Sequence, residues 1–371
     1  MYPAFYFIGK FALCGARIAI GNSWSVAFFS QRFFVFLVRI SDRAFFDVIF
    51  YQDRHIHVLK NGGKCVNMKK EEILQILPER IRRITTETVT DWELLQEIHI
   101  RSGGSIVLVI KGEKIMPAQG GQVVGTREFR EIMEYISNYS MYAFEEEIQK
   151  GYLTIPGGHR VGVAGKALME QGQVRTIRHI TFLNIRVSHE IPGCADRVMP
   201  YLFERDRFLP TLIVSPPGAG KTTLLRDIVR QAATGGKMFS AKKVSVIDER
   251  SEIAGCYQGI PQRDVGVHCD VLDGCHKQEG IYMMLRSMAP EVIAVDEIGA
   301  EKDYEALNTA LTSGCSLLAT VHGNSFQHIR EKPQMKKILE ERMFERILFL
   351  QSGEPGKGIA IYDGRGQVVS R

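Results

Sequence analysis

The chain has 371 residues, 45% of them apolar and 24% charged, with a formal net charge of +5. That length holds two domains with sizeable cores, and the composition excludes a disordered or collagen-like chain. The mild positive charge neither requires nor excludes a nucleic-acid partner. The seven cysteines are odd in number and form no C-x-x-C pair. Cys269, Cys275 and His276 lie close in sequence, but free thiols are the expected reading rather than a metal site.

Residues 1–67 carry nearly half of the Phe, Tyr and Trp, and their only acids are Asp42, Asp47 and Asp53. "WSVAFFSQRFFVFLVRI", Trp24 to Ile40, is interrupted by Ser30, Gln31 and Arg32. It falls short of the ~18 uninterrupted apolar residues of a membrane span. The texture changes at Met68, where "MKKEEILQILPERI" begins a charged, near-helical pattern. Residues 1–67 are therefore expected to be an upstream extension preceding the initiator Met68, the alternative being a membrane-attached or disordered arm.

Residues 68–190 read as a small α/β domain. "GSIVLVIKGEKI" (104–115) has the pattern of a strand and turn. In 126–151, Phe129, Ile132, Met133 and Ile136 share a helical face, with Tyr139 and Tyr142 beyond. "GYLTIPGGHRVGVAGKAL" (151–168) follows as strand, Gly-rich turn and strand, and "QVRTIRHITFLNIRVS" (173–188) is again β-rich. Pro192 and Gly193 mark a boundary. Residues 191–371 then alternate short apolar strands, at 211, 244, 292 and 316, with helical segments, the signature of a mostly parallel sheet covered on both faces. "RILFL", the turn "QSGEPGKG" and "IAIYD" close the chain as an antiparallel hairpin.

"LIVSPPGAGKTTLLRD", Leu212 to Asp227, is the most informative stretch. It has the form of a phosphate-binding loop, G-x-x-x-x-G-K-[ST], with Ser215 in place of the leading glycine. An apolar strand precedes it and a helix follows. Backbone N–H groups of Ser215, Pro216, Pro217, Gly218, Ala219 and Gly220 (the prolines excepted), with those of Lys221, Thr222 and Thr223, form a cradle for phosphate oxygens. Lys221 is suited to the β/γ-phosphates and Thr222 to Mg²⁺. Asp296 and Glu297, at the end of "VIAVDEIG", supply a metal-water ligand and a group that orients an attacking water. Asp248, Glu249 and Glu252 follow another strand, and Thr320 and His322 a fourth. In open α/β sheets ligands bind beyond the carboxyl ends of the strands, so all four tips are expected at one γ-phosphate.

These residues resemble the secretion-type ATPases of type II and type IV machines. "IDERSE" (247–252) is similar to their acidic box, "LRSMAPEVIAVDEIGAEKDYEAL" (285–307) to the approach to the catalytic glutamate, and "ALTSGCSLLATVHGNS" (310–325) to the histidine box. "RTIRHI" (175–180) resembles the segment joining their two domains. Within that group, "IVSPPGAGKTTLLRDIVR", "PQRDVGVHCDVLDGCHK" and "GGHRVGVAGKA" resemble a sporulation family in which a serine before Pro-Pro-Gly is familiar. The resemblance implies a RecA-like P-loop core behind a smaller α/β domain, and hydrolysis of ATP with Mg²⁺. An arginine reaching across a subunit boundary is expected to stabilise the developing charge, Arg160 and Arg178 being the first candidates with Arg263 and Arg286 behind them, and such chemistry calls for a ring, expected to be a hexamer. The resemblance further implies a mother-cell protein at the forespore membrane, energising a channel of membrane proteins. Two departures stand out: there is no four-cysteine module, and Asp296 occupies a position often held by glycine. "RIRR" (80–83) and the arginines of 175–186 are basic but lack an aromatic platform, so nucleic acid is not the expected partner. A non-catalytic, ATP-binding scaffold stays open.

Overall fold

The computed structural model describes residues 68–117, 123–137, 144–351 and 358–370, together with the strand residues between 15 and 65. Those strands, β1 (Gly15–Ile20), β2 (Ser23–Ser30), β3 (Phe33–Arg39), β4 (Phe46–Gln52), β5 (His55–Lys60) and β6 (Lys64–Cys65), pair in order as an antiparallel meander. Residues 1–14 and the side chains of 15–69 lie outside the described residues, and so does the expectation placed on them. The same holds for Tyr139, Tyr142 and the turn at 352–357.

The chain divides into two compact units, one of Met1–Leu94 with Gly125–Met141, the other of Leu95–Val124 with Tyr142–Arg371. In the first unit the helical pattern from Met68 is split by Pro78 into α1 (Met68–Gln75) and α2 (Glu79–Thr88). Proline removes a helical N–H and restricts the residue before it, so the break falls where the ring stands. Ile73, Leu74, Ile76, Leu77 and Ile81 are all buried. Helix α3 (Thr126–Ile136) buries Phe129, Ile132 and Ile136, while Met133 stays partly exposed. Glu128 caps α3 through the Gly125 N–H at 3.1 Å and accepts two 2.7 Å bonds from Arg80.

The second unit contains two sheets. The first has the order β10-β11-β12-β7-β8-β9 and is antiparallel throughout. Its strands are β7 (Leu95–Arg101), β8 (Val107–Ile110), β9 (Glu113–Ile115), β10 (Tyr152–Ile155), β11 (His159–Glu170) and β12 (Gln173–Arg186), with the short helix α4 (Glu145–Gln149) before β10. The Gly-rich turn between β10 and β11 includes Gly157 and Gly158 at φ +80° and +66°, backbone that favours glycine. Arg263, buried, donates to the Gly157 carbonyl, and the Gly157 N–H donates to Gln262 Oε1 at 3.1 Å, so the "PQR" segment clasps this turn.

After the short ribbon β13–β14 (Phe203–Glu204, Arg207–Phe208) comes the large sheet. It is built from β15 (Thr211–Ser215), β16 (Val244–Asp248), β17 (Cys269–Asp273), β18 (Val292–Val295), β19 (Ser316–His322), β20 (Arg346–Leu350), β21 (Ile359–Asp363) and β22 (Val368–Ser370). The order is β17-β16-β18-β19-β15-β20-β21-β22, parallel as far as β20 and antiparallel beyond it. Strands β15, β16 and β18 are buried at every residue, as a sheet covered on both faces requires. Ile213 packs on one face with Leu224, Leu225 and Ile228 of α5 (Lys221–Thr234). Leu212 and Val214 pack on the other with Ile281 of α6 (Lys277–Ser287), Leu307 of α7 (Glu301–Thr312) and Ile338 of α9 (Pro333–Glu340), the last preceded by α8 (Phe326–Arg330). The expected strands at 211, 244, 292 and 316 are present, as is the closing hairpin. Strand β15 lies inside the sheet between β19 and β20, so the loop that follows it emerges in the middle of the carboxyl edge.

Candidate functional site

The loop after β15 is shaped by a few residues. Pro216 and Pro217 fix φ, and Gly218 and Gly220 take φ of +76° and +84°. A Cβ on Gly218 would meet nothing within 4 Å, so backbone conformation and not space demands glycine there. Gly220 caps α5 without a side chain, which leaves the helix N-terminus open to an anion. Ser215 is fully buried and not among the left-handed residues, so its Cβ costs nothing. Its hydroxyl donates to the Pro216 carbonyl at 3.1 Å, and its own carbonyl accepts the Gly323 N–H at 3.0 Å. The missing leading glycine therefore does not disturb the loop. Thr223 lies off this centre, its side chain bordering a small hollow with Arg226 and Asp227.

Three strand ends converge beside the loop. Lys221, the first residue of α5 and 8% exposed, places Nζ 3.7 Å from Asp296 Oδ1 and 3.5 Å from His322 Nε2. Thr222 Oγ1 donates to Asp296 Oδ2 at 3.2 Å. Thr320, fully buried at the end of β19, donates its hydroxyl to Asp296 Oδ1 and accepts the Glu297 N–H at 2.8 Å. Glu297 holds a φ of +51°, a left-handed conformation that L-residues with side chains adopt at a cost. The Thr320 bond and the Ile298 N–H bond to the Thr320 carbonyl, at 2.8 Å, hold it there. The carboxylate of Glu297 meets His322 Nε2 at 3.3 Å through one oxygen and Arg250 Nη1 at 2.8 Å through the other.

His322 carries a proton conflict. Its Nδ1 is buried without a partner, while Nε2 faces both the Glu297 carboxylate and the Lys221 ammonium. A proton on Nε2 satisfies Glu297 but opposes Lys221, which can only donate. An anionic ligand that draws Lys221 away relieves the conflict. A cavity of about 550 Å³ opens against Glu297 and His322 and is walled by Glu249, Lys277, Asp303 and Lys332. Lys221, held by Asp296, does not line it.

The acidic segment after β16 divides its work. Asp248 is 1% exposed, and its oxygens accept the N–H groups of Glu252, Ile253 and Ala254 at 2.8, 3.0 and 2.8 Å. Burial pushes its carboxyl up to about 6 in spite of those donors. It fixes the turn rather than joining Asp296 and Glu297, because its lone pairs are already committed. Glu249 faces the cavity and pairs with Lys277 and with His276 Nδ1, the latter at 2.8 Å. Burial raises its carboxyl, but those two donors outweigh it and hold the group below the ordinary range. Glu252 accepts from Arg160 Nη1 at 2.5 Å, and the same guanidinium lies 3.5 Å over the Tyr152 ring. Arg178 is exposed on β12, in register with Lys166, and makes no bond to the cluster. Arg263 is occupied by the Gly157 turn, and Arg286 is exposed on α6. Residue-by-residue reading passed over Arg250 and also Lys332, whose Nζ donates to the His322 carbonyl at 2.6 Å. A lone cation inside the "IDERSE" acids was the available signal for the first.

A parallel sheet between helical layers, with a phosphate-type loop after an inner strand and acids on the neighbouring tips, is the RecA-like fold. Two solved structures have this fold. The pilus retraction motor PilT, determined with bound ADP, matches with a TM-score of 0.51 at 16% identity, over 78% of this chain and 82% of that one. The Yersinia pseudotuberculosis ATPase DotB matches with a TM-score of 0.50 at 15% identity, over 79% and 78%. The chain belongs to the family described as sporulation stage III, protein AA, whose model matches residues 67–369. Stage III sporulation protein AA of Bacillus subtilis strain 168 is 43% identical over 302 residues, which cover 81% of this chain and 97% of that relative.

Proposed function

We propose that this chain is an ATP hydrolase that powers assembly of, or transport through, a membrane channel between mother cell and forespore during endospore formation. The observation that carries the hydrolytic part is the meeting of Lys221, Thr222, Asp296, Glu297 and His322 at the carboxyl edge of one parallel sheet. The setting in sporulation rests on the family, and the motor reading on the fold shared with secretion ATPases.

In this reading the open N-terminus of α5 and the loop N–H groups hold the phosphates, and Lys221 exchanges Asp296 for phosphate oxygens. Glu297 orients a water for in-line attack, and His322, relieved of Lys221, contacts the terminal phosphate. The neighbouring hydroxyl of Thr222 and carboxylate of Asp296 are hard oxygen donors of the kind Mg²⁺ takes, so these residues fit the ion. When bound, Mg²⁺ supplies charge neutralisation at the phosphates. Glu249 stays paired beside the cavity, and Asp248 acts through the turn that it fixes. The resemblance supports a hexamer, with Arg178 or Arg160 serving a nucleotide across a subunit boundary and the ring resting peripherally on the forespore membrane. Among the described residues no helix is long and apolar enough to cross a membrane.

The test is Glu297→Gln. The variant is expected to retain nucleotide binding, measured by titration with a fluorescent analogue, and to lose at least about 100-fold in turnover. Wild-type turnover in the variant would remove Glu297 from this role.

A further inference from the structure

The carboxylate of Glu297 is anchored. One oxygen is 2.8 Å from Arg250 Nη1 and the other 3.3 Å from His322 Nε2, while the backbone beneath is held left-handed. A carboxylate turned toward a guanidinium in this way is not free to turn toward a water. Arg250 is itself a poor structural anchor: its side chain is 62% exposed, and it projects from a turn already secured by Asp248. It also lines a second hollow, of about 400 Å³, shared with Tyr152, Arg160, Arg186 and Glu252. That hollow gives the guanidinium a place to swing; the acid on its wall, Glu252, is already paired with Arg160.

We propose that Arg250 is a positioning residue that latches Glu297 in a resting orientation, and that release of this ion pair limits basal turnover. The proposal rests on the reading of Glu297 as the water-orienting acid. Nothing else in the cluster needs Arg250: Lys221, Thr222 and Thr320 reach Asp296 without it. An exposed ion pair shifts an equilibrium only modestly and weakens with salt, which suits a latch that opens on every cycle.

The experiment compares ATP turnover of the full-length chain with Arg250→Ala, Arg250→Lys and each of these combined with Glu297→Gln. Arg250→Ala is expected to raise basal kcat about two- to fivefold with KM unchanged. Arg250→Lys, which keeps a cation in reach, should stay near wild type. Raising ionic strength from low to physiological should speed the wild type but not Arg250→Ala, a response that a purely structural residue would not give. A thermal unfolding midpoint equal to wild type checks that Arg250→Ala is folded. If folded Arg250→Ala turns over at or below the wild-type rate, or shows the same salt response as wild type, the latch is wrong. Turnover persisting in Arg250→Ala with Glu297→Gln instead overturns the role of Glu297, so the two failures are distinguishable.

Discussion

The hydroxyl of Thr320 joins the two acids of the site, and removing it tests that join with a nearly isosteric change. Thr320→Val keeps the volume and the β-branched shape that suit strand β19 but deletes one donor and one acceptor. Asp296 loses a charge-assisted bond, and the Glu297 N–H loses its 2.8 Å acceptor in a site that is fully buried at Thr320. A bond to a charged group and a stranded, part-buried N–H are each worth about 1–3 kcal/mol, so the sum is about 2–6 kcal/mol. Glu297 also loses one of the two contacts that hold it at φ +51°, the Ile298 N–H bond to the Thr320 carbonyl being kept. That conformation costs about 1–2 kcal/mol, so the carboxylate is expected to relax away and turnover to fall about 100-fold. Urea denaturation should show a lower midpoint with an unchanged slope. Thr320→Ser, which retains the hydroxyl and loses one methyl, should cost about 1 kcal/mol and keep most of the activity. A Thr320→Val protein with wild-type midpoint and wild-type rate would show that the hydroxyl pins neither acid.

Ser215→Gly restores the usual loop pattern and should gain nothing. Its φ is already ordinary, so nucleotide affinity measured by titration should not improve, while stability falls by about 0.5–1 kcal/mol from added backbone freedom. For Asp248 the folded carboxyl, at about 6, lies above the 3.8 of the unfolded chain. Its stabilising contribution is therefore fully present below pH ~4 and is lost as pH rises through ~6, an effect of about 3 kcal/mol from a shift of roughly two units. Stability profiles measured by denaturation between pH 4 and 7 should decline less steeply in Asp248→Asn than in wild type.

Much of the fold is written in short-range patterns. The buried runs at 211, 244, 292 and 316 announce a parallel sheet, and the rule that ligands gather beyond its carboxyl edge brings Lys221, Asp296, Glu297 and His322 together before any coordinates are known. Strand β17 escaped because "CDVLD" sets Asp270 and Asp273 among its apolar residues and stands at the sheet edge, where neither face needs to be continuous. Strand β7, "LQEIHIR", was missed although its Leu95, Ile98 and Ile100 are buried, because Gln96 and Glu97 break the alternation. The arginines were the hardest. Arg160, Arg178, Arg250 and Arg263 look alike in the sequence, yet one pairs with Glu252, one is exposed, one holds Glu297 and one clasps a glycine turn. Partners lying 92, 47 and 106 residues away decide those fates, and local spacing carries no trace of them.

The turn secured by Asp248 has a mechanical consequence. Three side chains leave it in three directions: Glu249 to Lys277 at the start of α6, Arg250 to the tip beyond β18, and Glu252 to Arg160 on β11. Because the aspartate fastens the backbone of the turn to itself, these spokes share a stiff hub. A small rotation of that hub would tug on a helix, the tip beyond β18 and a separate sheet in the same instant, a route between them that bypasses the core.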